Sequence, residues 1–370
     1  MLQNIQPKDS QYLFATPIVQ QTAYWSTVKT RLGNPTLAVN FKVRHADLHA
    51  DNLGNTSTES DILVTVQRID NCHSIAYVPY GPEIEPDEEV RGVFLEELSE
   101  VLREFLPNDC IMIRYDLHWE SFWAHDQEGD AAPMEPSVAS QEMRLNFNTV
   151  NWNFRKPHHN ILPTNTIFVD LADEPELILA RMKPKTRYNI GLSQRKGVQV
   201  RFLRPDEIHI WYNLYRETAQ RNNLYVNDLS YFETVLTTNA GQSSSPAEVF
   251  LMLAEHEGEP LAAMFQTITS HRSSYLYGAS SSEKRNLMAP YALQWQAIQN
   301  ARAKGCTEYD MFGISPGPDP THPMFGLYQF KSGFGGQIYR SMGCWDYPLN
   351  EDKYQVFKSL EMNSQGFHNN

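Results

Sequence analysis

Two distant stretches of this chain spell out the same order of parts. In the first, apolar runs at 62–69 and 74–78 carry the composition of buried strands and reach Tyr80-Gly81. An amphipathic helical pattern follows from about 87 to 105, and the run IMIRYD closes on Tyr115-Asp116. In the second, strand-like runs at 249–254, 262–269 and 274–277 reach Tyr277-Gly278, a helical pattern covers 290–304, and another strand ends on Tyr309-Asp310. The spacing from Gly81 to Asp116 nearly equals that from Gly278 to Asp310, which is the mark of one unit used twice. A chain of 370 residues has room for two such units, each with its own core.

Between the copies lie a polar, proline-containing connector at 124–165, a strand, and a helix whose start is set by Pro184 and whose stop is set by Gly197. That helix belongs to a run from Arg181 to Arg204 with eight basic residues and no acid, in a protein of net charge -13. A solvated helix face is one account of it; docking of a polyanion is the other, with phosphates as the counterpart. Two further helices are expected at 207–221 and 229–236, and Glu88, Glu89, Glu96, Glu97 and Glu100 read as a solvated face. The N-terminus lacks the pattern of a signal peptide and no stretch of about 18 apolar residues occurs, so a cytoplasmic protein with at most peripheral membrane contact is expected. Cys72, Cys110, Cys306 and Cys344 are far apart, which fits reduced thiols. His118, His125, His158 and His159 show no ligand spacing, and surface or loop positions account for them better than a metal site.

The segments MKPKTRYNIGLSQRKGV, YLYGASSSEKRNLMAPYALQWQAIQNARAKGCTEYDMFGI and GLYQFKSGFGG resemble the Fem family of non-ribosomal peptidyltransferases, which build peptidoglycan cross-bridges. The resemblance is dense from about 171 to 339; before it, TAYWSTVKTRLG looks like the family's first helix. It implies an α/β (α+β) protein of two tandem Gcn5-related acyltransferase-like domains: 1–162 with 342–370, holding the precursor, and 163–341, carrying the catalytic lysine and facing tRNA. It also implies transfer of an amino acid from aminoacyl-tRNA to an amine on the stem peptide of a peptidoglycan precursor, lipid II or its nucleotide-linked counterpart. No metal or organic cofactor is expected. Only a short segment separates Gly197 from Asn227, so the long helical hairpin of some members has no counterpart here.

An aminoacyl ester is already activated, so the enzyme must align an amine with it and stabilise the oxyanion. The resemblance puts Lys331 in that role, with Phe330 holding the tRNA end and Gly333, Gly335 and Gly336 allowing close backbone approach. Asp116 matches a family aspartate proposed as the base; its rival role is to orient Arg114 or the substrate peptide. Tyr277 and Tyr231 match tyrosines of the acceptor pocket, and Lys29 matches the lysine that binds the precursor's diphosphate. The arginine that partners this lysine falls on Asn227, and a tyrosine falls on Ile111, which weakens a diphosphate clamp and makes a lipid-linked acceptor as plausible as a nucleotide-linked one. Lys183, Lys185, Arg187, Arg195 and Lys196 are expected to meet tRNA phosphates, with Tyr188 available for stacking. Two rivals remain. One is an acyl-CoA-dependent N-acyltransferase, which needs a glycine-rich pyrophosphate turn where this chain has KRNLMAPYA. The other is a non-catalytic module that binds a nucleotide-sugar or RNA.

Overall fold

The computed structural model describes residues 1–50, 56–122, 142–143, 147–222 and 226–363. The first half contributes β1 (Leu2–Lys8), β2 (Thr36–Arg44), β3 (Ser57–Arg68), β4 (Ser74–Pro79) and β5 (Cys110–Glu120). Next come β6 (Asn165–Asp170), β7 (Gln199–Phe202), β8 (Glu248–His256), β9 (Glu259–Thr269), β10 (Arg272–Ser280), β11 (Glu308–Asp310) and β12 (Gln337–Pro348). All join one mixed sheet in the order β1-β2-β3-β4-β5-β12-β6-β11-β10-β9-β8-β7.

The repeat seen in the sequence is visible in the strand directions. β4 and β5 run parallel, as do β10 and β11, whereas their other neighbours are antiparallel. A parallel pair needs a crossover, and each has a helix for it. Arg91–Arg103 packs Phe94, Leu95, Leu98 and Leu102 against Val64, Ala76, Val78 and Ile113. Ala289–Ala303 packs Leu293, Ala297, Ile298 and Ala301 against Met252, Ala254, Met264 and Tyr309. β12 joins the halves: Gln337 to Arg340 pair with β6, and Ser341 to Pro348 pair with β5.

A third apolar cluster crosses between the halves. The helix Ala23–Arg31 starts at Thr22, whose hydroxyl accepts the Trp25 N–H at 3.1 Å. Its Tyr24 and Val28 pack with Trp211, Leu214, Phe232 and Val235 of the helices Ile208–Asn222 and Leu229–Thr237, and the Tyr24 hydroxyl donates to the Val235 carbonyl at 2.6 Å. This anchoring sets Lys29 facing the second half.

Several local expectations change. The pattern at 87–105 begins with a 3-10 turn at Glu88–Val90 before the α-helix. Its acids are more than a wet face: Glu97 accepts the Leu2 N–H at 2.8 Å, and Glu100 accepts from the Tyr347 hydroxyl. His118 sits on β5 in an aromatic group with Tyr80 and Tyr339, their rings 4.9 and 5.0 Å from it. Burial there lowers its pKa to about 3. His158 and His159 are exposed and His125 lies outside the described residues. Among the described residues no group of His, Cys, Asp and Glu could hold a metal ion, and no helix is long and apolar enough to cross a membrane.

Candidate active site

Lys331 ends the helix Phe325–Lys331 and is buried. Its ammonium donates to the carbonyls of Phe312 at 2.9 Å and Gly313 at 2.8 Å. Those carbonyls are aimed by a backbone turn that most residues avoid: Phe312 has φ 58, and its N–H is held by Asp310 Oδ1 at 2.8 Å. Desolvation lowers the Lys331 pKa to about 7, and the nearby Asp310 carboxylate works against that shift. An ammonium has three N–H donors, so two carbonyls leave one uncommitted. The Tyr275 ring lies beside it, 5.0 Å from the nitrogen to the centroid.

Two clefts flank this lysine. The smaller, about 250 Å³, is lined by Lys29, Asn227, Tyr231 and Tyr277, four of the residues singled out above, together with Trp25, Tyr77 and Phe312. It draws on both halves of the chain. Tyr231 and Tyr277 share a hydrogen bond of 2.6 Å between hydroxyls, and burial pushes the Tyr231 pKa up to about 12 and that of Tyr277 well above its usual range. Lys29 has no acidic partner among the described residues; its Nζ lies 5.3 Å from the Trp25 ring centroid, and burial lowers its pKa to about 8. Asn227 Oδ1 is buried without a hydrogen bond in the same cleft. An unpaired cation and an unpaired amide suit an entering polar ligand.

The larger cleft, about 520 Å³, lies in the second half between β10 and the helix Ala289–Ala303. Lys185, Tyr275, Pro290, Tyr291 and Phe330 are among its walls. Lys331 therefore touches Phe312 of one cleft and Tyr275 of the other. The reason both tyrosines of YLYG serve different clefts is a bulge: Tyr275 pairs with Gln266 and Tyr277 with Phe265, so Leu276 is an extra residue that flips the alternation. Tyr275 folds back over Gly278, where a Cβ would come 1.5 Å from its hydroxyl.

The basic run sorts itself by partners. Arg181 pairs with Asp173, Arg201 with Glu207 and Glu255, and Arg204 with Asp206. Lys183, Lys185, Arg187, Arg195 and Lys196 are exposed and have no acidic partner among the described residues. Lys183 donates to Ser332 Oγ at 3.1 Å, one residue from Lys331, and Arg195 lies 5.8 Å from the ring centroid of exposed Tyr188.

Four expectations are corrected. Arg114 does not reach either cleft: it lies under the C-terminal helix Glu351–Asn363, bonded to Asp346 at 2.6 and 2.8 Å and to Glu361 at 2.6 and 3.0 Å. Asp116 consequently does not orient Arg114. It is fully buried behind the smaller cleft, accepting from the Tyr77 hydroxyl at 3.1 Å and the Leu162 N–H at 2.8 Å, and burial raises its pKa to about 6. The glycines after Lys331 serve protein contacts: a Cβ on Gly333 would meet Thr186 Oγ1 at 2.2 Å, and one on Gly335 (φ +79) would meet the Arg181 carbonyl at 2.6 Å. They seat the start of the basic helix against Lys331. Ile111 packs with Tyr354 and Phe357 and lies outside the cleft.

Comparison with known proteins adds a family to this geometry. The FemAB family model matches residues 15–257 and 246–362. The chain belongs to the FemAB family. A lipid II:glycine glycyltransferase of Staphylococcus saprophyticus is 23% identical over 260 residues, which span 54% of this chain and 62% of that relative. One from Staphylococcus epidermidis is 23% identical over 305 residues, 64% of this chain and 73% of the relative. The crystal structure of FemX superposes with a TM-score of 0.68 at 17% identity, covering 92% of this chain and 94% of its own, so this FemAB member shares that fold.

Proposed function

We propose that this FemAB-family chain is an aminoacyltransferase that moves an amino acid from aminoacyl-tRNA to an amine on the stem peptide of a peptidoglycan precursor. The observation that carries the reading is the position of Lys331, buried with one uncommitted N–H between two clefts. In it the larger cleft takes the donor ester, with Phe330 in its wall, and the smaller cleft takes the acceptor peptide. The amine attacks the ester carbonyl beside Lys331, whose ammonium stabilises the tetrahedral oxyanion. Lys183, Lys185, Arg187, Arg195 and Lys196 supply phosphate contacts for the acceptor arm, and Lys185 leads from that strip into the larger cleft.

A lipid-linked acceptor fits best. The relatives above carry lipid II in their names. Lys29 stands beside Asn227 in place of a second cation, which gives a soluble diphosphate less to hold. The chain works as two units, 1–162 with 342–370 and 163–341, with the acceptor cleft between them rather than within the first, and acts at the cytoplasmic face. The acyl-CoA reading is disfavoured by the turn before Ala289–Ala303. There the Leu287 and Met288 amides are bonded back to Lys284 and Arg285 at 2.9 and 3.2 Å, and Pro290 has no N–H, so the turn offers little to a pyrophosphate.

Purified protein given a mixture of charged tRNAs with lipid-linked and nucleotide-linked precursors tests this. Transfer should occur, vanish on ribonuclease treatment, and not be rescued by acyl-CoA. Ribonuclease-resistant transfer, or acyl-CoA binding in the micromolar range by calorimetry, would favour the CoA enzyme instead.

A further inference from the structure

The attacking amine of an acceptor enters as an ammonium, and something must take its proton before the nitrogen can attack. Among the described residues no carboxylate and no imidazole lines the acceptor cleft: its polar side chains are Gln20, Lys29, Gln67, Asn227 and three tyrosines, with Trp25 beside Lys29. Asp116 is the carboxylate joined to this lining by a side-chain hydrogen bond, and it is fully buried. The group between it and the cleft is Tyr77, whose hydroxyl donates to Asp116 Oδ2 at 3.1 Å. Because that hydroxyl spends its hydrogen on the carboxylate, its oxygen lone pairs are left to accept from the cleft side. Tyr231 and Tyr277, by contrast, bond to each other. The carboxylate's Oδ2 is also fixed by the Leu162 amide at 2.8 Å in the cleft wall, and the Cys344 thiol and the Lys156 ammonium are other titratable groups beside it.

On the reading proposed above, we infer that Tyr77 is a catalytic residue of this chain, the port through which the acceptor ammonium passes its proton to Asp116. As a proton leaves the ammonium for Tyr77 Oη, the tyrosine's own proton moves to Asp116 Oδ2. The net change is ammonium plus carboxylate to amine plus carboxylic acid, with Tyr77 unchanged. The neutral amine then forms the C–N bond and the ester C–O bond breaks. The departing 3′-oxygen takes the proton that the new amide nitrogen sheds, and Asp116 returns its proton to solvent by the same route once product leaves. Tyr77 was not marked by the sequence, because nothing local distinguishes it from the apolar residues of β4 around it.

The test compares two acceptors: a lipid-linked precursor with its free stem-peptide amine, and the same precursor with that amine replaced by an aminooxy group, which is unprotonated at neutral pH. With the amine, Tyr77→Phe and Asp116→Asn should each lower kcat by about 10²-fold, the scale of a lost general base. The double variant should fall no further than the worse single one, since both lie on one path. With the aminooxy acceptor, all three variants should stay within about threefold of wild type, because no proton has to move before attack. Equal losses with both acceptors would mean that Tyr77 only shapes the cleft and would overturn the inference, as would unchanged amine transfer in Tyr77→Phe. Wild-type protein inactive with both acceptors would instead overturn the parent reading, a result the variants cannot mimic.

Discussion

The two halves share an order of elements and differ in whether the parallel strand pair stays closed. In the first half β4 and β5 remain paired from Ser74 and Cys110 to Pro79 and Asp116. In the second, β10 and β11 pair over only Arg272 to Ser274 with Glu308 to Asp310, and past a bulge at Leu276 β10 runs on paired with β9 but no longer with β11. The crossover helices repeat the contrast. Trp152 packs at the start of the first one, where a Cβ on Gly92 would meet its Nε1 at 2.4 Å, whereas Pro290 and Tyr291 at the start of the second face the larger cleft. A duplicated unit thus keeps one copy plugged and leaves the other open. Both copies carry Tyr-Asp on this strand with the aspartate buried and its pKa raised, although β5 continues past Asp116 to Glu120 whereas β11 ends on Asp310; Asp116 backs Tyr77 while Asp310 backs the Phe312 turn and Lys331.

Loosening the junction beneath the open half should have the largest effect. Gly335→Ala places a Cβ 2.6 Å from the Arg181 carbonyl at φ +79, so it should cost about 1–3 kcal/mol and detach the basic helix from the Lys331 segment. Urea denaturation with the midpoint unchanged would show that this junction does not hold the second half together. A next, smaller effect concerns the strip leading to the open cleft. Replacing Lys183, Lys185 and Arg187 by Gln should flatten the slope of log affinity for tRNA against log salt by about two to three, one contact each. An unaltered slope would return these cations to the role of a solvated face.

The contrast between halves was only partly legible in the sequence. The twin Tyr-Gly and Tyr-Asp landmarks are local, and so are the helix start at Pro184 and the stop at Gly197. Strands β1 and β12 were not, because LQNIQPK carries little alternation and QIYRSMGCWDYP contains Gly and Pro; their pairing comes from partners far along the chain. Four residues of the smaller cleft could be named from the family resemblance, and they do meet in one cleft. Arg114 could not be placed, since the acids that hold it, Asp346 and Glu361, are more than two hundred residues away in sequence. Tyr275 was missed for a different reason: strand alternation puts it on the same face as Tyr277, and only the bulge separates them.

A pH dependence gives a finer probe of the open half. The Lys331 pKa falls from its ordinary 10.5 to about 7, so between those values the unfolded chain binds the extra proton and this group adds stability as pH rises. Below about 7 both states are protonated and the cost of burying the charge is at its full value. Thermal midpoints of wild type relative to Lys331→Met should therefore improve as pH goes from about 7 toward 10. A difference that stays flat across that window would mean that Lys331 is not desolvated in the folded protein.

On the proposed function, Lys331 serves the chemistry between two clefts and does not hold either substrate. Single-turnover transfer by Lys331→Met, measured beside its affinity for charged tRNA, addresses this most directly. A rate loss of about 10²-fold or more, the size of a lost oxyanion donor, is expected, with tRNA affinity within about twofold of wild type. Transfer within about twofold of wild type, or a loss fully explained by weaker tRNA binding, would contradict it.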